Sequence, residues 1–122
     1  MKTILLIEDD PFLIDIYTTK LKEAGFSVEV ATDGNEGLRK IAEKIPDLVV
    51  LDIVLPQIDG WEILKKIKED PKLNPTPVVI LSNLGQRGEV EKGLKMGATK
   101  YLIKAHYTPS EVIEEIKKIL KP

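Results

Sequence analysis

The sequence contains no cysteine, and it holds only one histidine, one tryptophan, two phenylalanines and three tyrosines. Without cysteine, disulfides, thiolate zinc sites and cysteine nucleophiles are excluded. No stretch approaches the ~18 apolar residues of a membrane span. The apolar run that follows residues 1–3 is too short for the core of a signal peptide. We therefore expect a cytoplasmic protein with no membrane partner.

Neither sign of charge dominates the chain, whose formal net charge is -2. Direct binding to nucleic acid requires a concentrated basic face, which the sequence lacks, so we expect no nucleic-acid partner. A length of 122 residues corresponds to one domain of ordinary size that can bury a core. We expect a single domain over 1–122.

Four apolar runs each end in a charged or hydroxyl-bearing residue. The runs and the residues that follow them are 4–7 with Glu8 and Asp9, 48–51 with Asp52, 78–81 with Ser82, and 101–103 with Lys104. The first three runs are continuously apolar, which is typical of parallel strands covered by helices on both faces. Ligands bind outside the carboxyl ends of such strands, so we expect the chemistry at this edge of the sheet.

Helical patterns alternate with five expected strands, at about 3–8, 27–31, 48–52, 78–81 and 100–103. Helix starts are indicated where a short polar residue can cap free N–H groups or proline can occupy the first turn, at Asp10-Pro11, Asp33-Gly34, Asp59 and Thr108-Pro109. The stretch 70–77 contains three prolines and is expected to be a loop. The alternation predicts an α/β fold of the doubly wound (βα)5 type.

The helix expected at about 86–96 has the least regular pattern, because Gly88 and Gly93 would each cost ~1 kcal/mol in its interior. In the first three helices, apolar residues at helical spacing are expected to face inward. These are Phe12, Leu13, Ile16, Tyr17 and Leu21, then Leu38, Ile41, Ala42 and Ile45, then Trp61, Ile63, Leu64 and Ile67.

Three carboxylates are expected to meet at the sheet edge, from Glu8, Asp9 and Asp52. Carboxylates so close together repel and raise one another's pKa. A hard divalent cation relieves this repulsion, and Mg²⁺ prefers oxygen ligands from few carboxylates. The alternative is that acids merely end strands and cap helices, which is the role we assign to Asp10. The three acids together predict a magnesium site.

A carboxylate held beside a metal can attack phosphorus and form an aspartyl phosphate, and Asp52 is the candidate. Lys104 can supply an ammonium to the phosphoryl oxygens, and Ser82 can donate a hydrogen bond to another. Alternatively Lys104 is an ordinary solvated lysine and Ser82 a turn hydroxyl. Their shared placement at one sheet edge favours the functional interpretation.

These motifs resemble the receiver domain of bacterial two-component response regulators, of the stand-alone chemotaxis type. The matching segments are ILLIEDDP (4–11), PDLVVLDIVLPQIDG (46–60), PVVILSN (77–83) and GLKMGATKYLIK (93–104). The resemblance covers nearly the whole chain. It implies a flavodoxin-like fold with a five-stranded parallel sheet in the order 2-1-3-4-5.

The resemblance also implies a role for each matching residue. Asp52 would be the phosphoacceptor, and Asp9 a closer metal ligand than Glu8, for Mg²⁺ or a substituting Mn²⁺. The Val54 backbone carbonyl would be a further ligand. Lys104 and Ser82 would contact the phosphoryl group, with Ser82 as the switch hydroxyl. Tyr101 would be the switch aromatic that packs inward when Ser82 moves, although an ordinary strand aromatic would look the same.

Three positions depart from the family pattern. Ala105 replaces a proline that is joined by a cis bond, so either a strained cis Lys104–Ala105 bond is retained to aim the lysine or the loop is rebuilt, and we predict the cis bond. His106 is interpreted as a partly exposed loop residue and not a ligand. Asn83 is larger than usual for its position and could narrow access to Asp52. Val54 and Leu84 cannot orient an attacking water, so we predict slow loss of the phosphoryl group.

The sequence thus predicts a phosphorylatable signalling switch and not a turnover enzyme. The expected donor is a sensor histidine kinase or a phosphotransfer protein. The expected target is another protein that reads the surface of helix 4, strand 5 and helix 5. The chain could be a monomer or a phosphorylation-dependent dimer.

Three alternatives stay open. A Mg²⁺-dependent phosphohydrolase would need an acid two residues after Asp52, where Val54 stands. A passive flavodoxin-like binding module would need a glycine-rich cofactor loop after the first strand, which is absent. A degenerate receiver would keep the fold as a passive interaction module, and only Asn83 and Ala105 favour it.

Overall fold

The computed structural model describes residues 1–120, which form five strands and five helices in strict alternation. The strands are β1 (Thr3–Ile7), β2 (Ser27–Ala31), β3 (Leu48–Leu51), β4 (Val78–Ser82) and β5 (Lys100–Ile103). The helices are α1 (Pro11–Glu23), α2 (Gly34–Glu43), α3 (Gly60–Glu69), α4 (Arg87–Lys95) and α5 (Pro109–Ile119). A short 3₁₀ turn spans Lys104–His106.

All five strands are parallel and lie in the order β2-β1-β3-β4-β5, which confirms the predicted doubly wound fold and its strand order. The strands β1, β3 and β4 form the middle of the sheet and are almost entirely buried. Each crossover helix must cover one face of the sheet, because parallel neighbours cannot be joined by a tight turn.

Alternate residues of each central strand enter one of two apolar cores. On one face, Leu5 and Ile7 of β1 pack with residues of α2 and α3. On the other face, Ile4 and Leu6 pack with residues of α1 and α5. Burial on both faces explains why the central strands are continuously apolar. Because all the strands are parallel, their carboxyl ends lie at one edge of the sheet.

Local capping explains where most helices begin and end. Asp10 caps α1, with its Oδ1 accepting from the N–H of Phe12 at 2.9 Å, and Thr108 forms a capping box with Glu111 at α5. Gly25 and Gly97 adopt positive φ angles of 95° and 108° just after α1 and α4, a conformation that favours glycine.

The expected inward positions of Phe12, Ala42 and Ile45 are wrong. Phe12 is 72% exposed because it lies in the first turn of α1, outside the apolar core that Tyr17 and Leu21 of the same helix enter. Helix α2 ends at Glu43 and the next residue is extended, so Ile45 leaves the helical face and is 48% exposed. Within residues 1–120, no helix is long and apolar enough to cross a membrane.

Candidate functional site

Four of the predicted site residues stand at the carboxyl ends of four adjacent strands. Glu8, Asp52 and Lys104 directly follow β1, β3 and β5, and Ser82 is the last residue of β4, which lies between β3 and β5. The N–H of Glu8 bonds to Ala31 O and that of Asp52 to Ile7 O, both at 3.0 Å, so the ladder continues to the acids themselves. Glu8, Asp52 and Ser82 are all buried.

The structure brings the three predicted acids together. Glu8, Asp9 and Asp52 each offer a carboxylate oxygen, and these atoms lie within 4.8 Å of one another. Glu8 and Asp52 are buried while Asp9 is exposed, so the cluster opens to solvent on the Asp9 side. A compact set of carboxylate oxygens fits a hard divalent cation such as Mg²⁺, which keeps several waters on its open side.

The ammonium of Lys104 bridges the two buried acids. Its Nζ lies 2.8 Å from Glu8 Oε1 and 2.9 Å from Asp52 Oδ2. The other oxygen of Glu8 accepts from the N–H groups of Asp9 at 3.1 Å and Asp10 at 3.2 Å. One lysine therefore offsets part of the charge of three carboxylates, and it touches the predicted phosphoacceptor directly.

Burial controls the protonation of this group of charges. Burial raises the pKa of Glu8, and the charge of Asp52 raises it further, against the lowering effect of the Lys104 hydrogen bond. Burial alone would lower the pKa of Lys104, but its hydrogen bonds to Glu8 and Asp52 outweigh burial and raise it. The two acids therefore favour the charged form of the lysine at this site.

A hydrogen-bonded path leads from the sheet edge to Tyr101. The Oγ of Ser82 accepts from the Leu84 N–H at 3.2 Å, and the hydroxyl of Tyr101 donates to the Leu84 carbonyl at 2.5 Å. Burial raises the pKa of Tyr101, the charge of Glu89 adds to this, and the Ser82 hydroxyl opposes it. The backbone of Leu84 thus connects the two predicted switch residues.

The loop after β3 carries Val54 beside the acceptor. The Val54 N–H donates to Asp52 Oδ1 at 3.3 Å, while its side chain is 60% exposed. Asn83 is also exposed. His106, predicted to be a partly exposed loop residue, is exposed and ends the 3₁₀ turn.

The predicted cis bond between Lys104 and Ala105 is wrong, because every peptide bond within residues 1–120 is trans. For a residue other than proline the cis form costs ~3 kcal/mol, so the trans form is the expected ground state. The loop is rebuilt instead as the 3₁₀ turn, in which the Tyr107 N–H reaches the Lys104 carbonyl at 3.5 Å. Lys104 still reaches both acids without a cis bond.

Two contributors to the site were not identified from the sequence. Tyr17 was assigned to the core, yet its buried phenol interacts electrostatically with Lys104, Glu8 and Asp52, and burial raises its pKa. A Cβ at Gly60 would lie 2.4 Å from the backbone oxygen of Asp52, so the start of α3 packs directly on the acceptor. The sequence signal for this close approach was Gly60 itself, a glycine that directly follows the helix cap Asp59.

Comparison with known proteins shows the family to which the chain is related. A model of the family described as the response regulator receiver domain matches residues 4–117. The DNA-binding dual master transcriptional regulator RpaA of Synechocystis sp. is 33% identical over 99% of this chain and 50% of its own length. The chain thus spans about half the length of that curated relative.

Solved structures share the fold over more than nine tenths of their length. A putative response regulator from Chloroflexus aurantiacus is 30% identical with a TM-score of 0.91, and the match covers 99% of this chain and 98% of that one. The Mn(2+)-bound form of the response regulator Rcp1 is 26% identical with a TM-score of 0.87, covering 97% and 93%. This chain belongs to the response regulator receiver domain family.

Proposed function

We propose that the chain is a phosphorylatable signalling switch in which Asp52 accepts a phosphoryl group from a phosphohistidine. The donor is a sensor histidine kinase or a phosphotransfer protein. The observation that carries the proposal is the contact between the Asp52 carboxylate and the Lys104 ammonium inside a cluster of two further acids. Receiver domains are signalling switches and not turnover enzymes, which agrees with a single acceptor carboxylate.

In the transfer step, an oxygen of the Asp52 carboxylate forms a bond to phosphorus while the N–P bond of the phosphohistidine breaks. The electron pair of that bond leaves with the histidine nitrogen, and the product is an acyl phosphate. Lys104 already donates to Asp52 Oδ2, so a small movement carries its ammonium to a phosphoryl oxygen. A fixed cation that meets developing negative charge lowers the barrier to transfer.

The metal in this proposal is Mg²⁺, for which Mn²⁺ can substitute. The carboxylates of Glu8, Asp9 and Asp52 would hold it, together with the backbone carbonyl of Val54. The compact oxygen set supports this assignment, and so does the manganese in the related Rcp1. When bound, the cation neutralises charge on the phosphoryl oxygens. Asp9, as the exposed member, would bind it most directly, because both oxygens of Glu8 already accept hydrogen bonds.

The signal leaves the site through the switch residues. Phosphorylation adds about −1.5 to −2 charges at one point. Ser82 donates its hydroxyl hydrogen to a phosphoryl oxygen, and the Leu84 backbone moves with it, because the Leu84 N–H bonds to Ser82. Tyr101 follows through its hydrogen bond to the Leu84 carbonyl, and the surface of α4, β5 and α5 changes for a partner protein.

The output of the switch is proposed to be a protein contact. RpaA is described as DNA-binding, but this chain matches only half of its length, so that property is not carried over. The formal net charge of -2 also gives no overall attraction to a phosphate backbone. Whether the phosphorylated chain is a monomer or a dimer is read from its mass in solution.

The test is intact mass after incubation with acetyl phosphate and Mg²⁺, on wild type, Asp52→Ala and Asp15→Ala. Asp15 is an exposed acid on α1 and serves as the matched control. We expect a phosphoryl adduct on wild type and Asp15→Ala only. An adduct on Asp52→Ala would mean that another carboxylate accepts, and no adduct on any variant would favour a degenerate receiver. Steady release of phosphate from monoesters would instead favour a phosphohydrolase.

A further inference from the structure

Gly93 occupies an unusual position, buried in the last turn of α4. An interior glycine costs a helix roughly 1 kcal/mol relative to alanine, so alanine would favour this helix if space allowed. Space does not allow it. A Cβ at Gly93 would lie 2.8 Å from Cδ2 of Tyr101 and 2.9 Å from Cδ1 of Ile80.

The two obstacles differ in how closely they are enclosed. The terminal methyl of Ile80 belongs to a fully buried side chain, so the packed core limits its movement. The Tyr101 atom belongs to the rigid ring of a partly buried residue, which can move as a unit by rotating about its two side-chain torsions. An added methyl group would therefore act mainly on the orientation of Tyr101.

Tyr101 is also held from its other sides. Its hydroxyl bonds to the Leu84 carbonyl, and its ring lies 6.5 Å from the ring of Trp61 between centroids, at an angle of 33°. The Trp61 ring in turn carries the ammonium of Lys92 at 4.3 Å, and Lys92 precedes Gly93 in α4. The Tyr101 ring thus has a defined place bounded by α3, α4 and the loop after β4.

We propose that Gly93 is a positioning residue for the switch. Its missing side chain provides the space that the Tyr101 ring occupies while the hydroxyl is bonded to Leu84. The position of α4 on the sheet and the orientation of the Tyr101 ring are then coupled, because a change in one requires a change in the other. The connection of this coupling to phosphorylation rests on the proposed function.

A double-mutant cycle tests the steric coupling without any phosphoryl group. Gly93→Ala is compared in wild type and in Tyr101→Ala by urea unfolding, and Gly88→Ala is the matched control. Gly88 lies in the same helix, and a Cβ there would meet nothing within 4 Å. We expect the effect of Gly93→Ala on the unfolding equilibrium constant to differ by about tenfold between the two backgrounds, since overpacking is relieved when the ring is removed.

The control sets the outcome that would overturn the proposal. Gly88→Ala should have the same effect in both backgrounds, to within about twofold. If Gly93→Ala also has the same effect in both backgrounds, then Gly93 does not act through Tyr101 and the proposal is wrong.

A spectroscopic measurement tests the orientation itself. Trp61 is the only tryptophan and adjoins Tyr101, so its fluorescence reports on that ring. We expect Gly93→Ala to change its emission and acrylamide quenching, while Gly88→Ala leaves both as in wild type. An unchanged Trp61 signal in Gly93→Ala would contradict the proposal.

The link to the acceptor is measured by titration with beryllofluoride, an analogue of the phosphoryl group, in the presence of Mg²⁺. By linkage, a variant that changes the equilibrium between the bonded and displaced positions of Tyr101 must also change the affinity for beryllofluoride, here by about tenfold. Equal affinity in Gly93→Ala and wild type would overturn the link. Failure of wild type itself to bind beryllofluoride would refute the proposed function, and the cycle above would still decide the role of Gly93.

Discussion

The ammonium nitrogen of Lys104 lies 2.8 Å from Glu8 Oε1, although the two residues are 96 positions apart in the chain. The same nitrogen lies 2.9 Å from Asp52 Oδ2. One cation therefore joins the ends of β1, β3 and β5 at the edge of the sheet. Since both acids are buried, the contact affects stability as well as chemistry.

Replacing Lys104 by methionine should destabilise the metal-free chain by about 3 kcal/mol, because two buried carboxylates lose the cation between them. Urea unfolding in EDTA measures this loss. Mg²⁺ should restore more stability to Lys104→Met than to wild type, since the metal supplies the missing positive charge.

Lys100→Met provides the control for that prediction. Lys100 pairs with Glu115 at 3.0 Å, but its side chain is 44% exposed, so its removal should cost less than about 1 kcal/mol. Equal losses for the two lysines would show that the Lys104 contacts contribute no more than a surface pair.

The stability of the metal-free chain should depend on pH through Glu8. Burial and then the charge of Asp52 raise the pKa of this carboxyl above its ordinary 4.5, so the folded chain holds the proton more tightly than the unfolded chain. The stabilising contribution is complete below pH 4.5 and is lost as pH rises through the folded pKa. Relative to Glu8→Gln, wild type in EDTA should therefore lose stability from pH 4.5 upward.

Unfolding by urea at a series of pH values measures that difference. In Mg²⁺ the trend should reverse, because the cation favours the ionised carboxylate. A difference between wild type and Glu8→Gln that stays constant with pH would contradict the raised pKa.

Phe12→Ala should change the free energy of unfolding by less than about 0.5 kcal/mol, because the phenyl ring is 72% exposed. Leu21→Ala, on the same helix, should cost 2–5 kcal/mol, in the ordinary range for a large residue removed from a core. Urea unfolding of both variants checks the contrast. A large loss for Phe12→Ala would mean that its ring packs against the domain.

Replacing Val54 by glutamine should shorten the life of the phosphoryl group several-fold. The Val54 N–H already donates to Asp52 Oδ1, so residue 54 lies beside the acceptor. A glutamine amide at this position can therefore hold a water near the Asp52 carboxylate. Loss of the adduct after removal of acetyl phosphate is followed by intact mass. Val54→Leu, which also cannot orient water, should decay as slowly as wild type, and rapid decay of wild type itself would refute the predicted slow loss.

Much of this protein could be predicted from the sequence alone, because the information is local or periodic. The continuously apolar runs that precede Asp52 and Ser82 indicate a parallel sheet buried on both faces, and parallel strands place their carboxyl ends at one edge. The acids, the lysine and the serine at that edge therefore follow from the order of the runs. Capping at Asp10 and Thr108 fixes two helix starts in the same local way.

Contacts between distant segments were decided only by the tertiary structure. The trans bond before Ala105 and the turn that replaces a cis proline depend on how the loop after β5 closes. The exposure of Phe12 depends on where α1 lies over the sheet, and helical periodicity does not contain that information. The fit of Tyr101 against Gly93 joins a strand to a helix in three dimensions, because close packing depends on which surfaces the fold brings together.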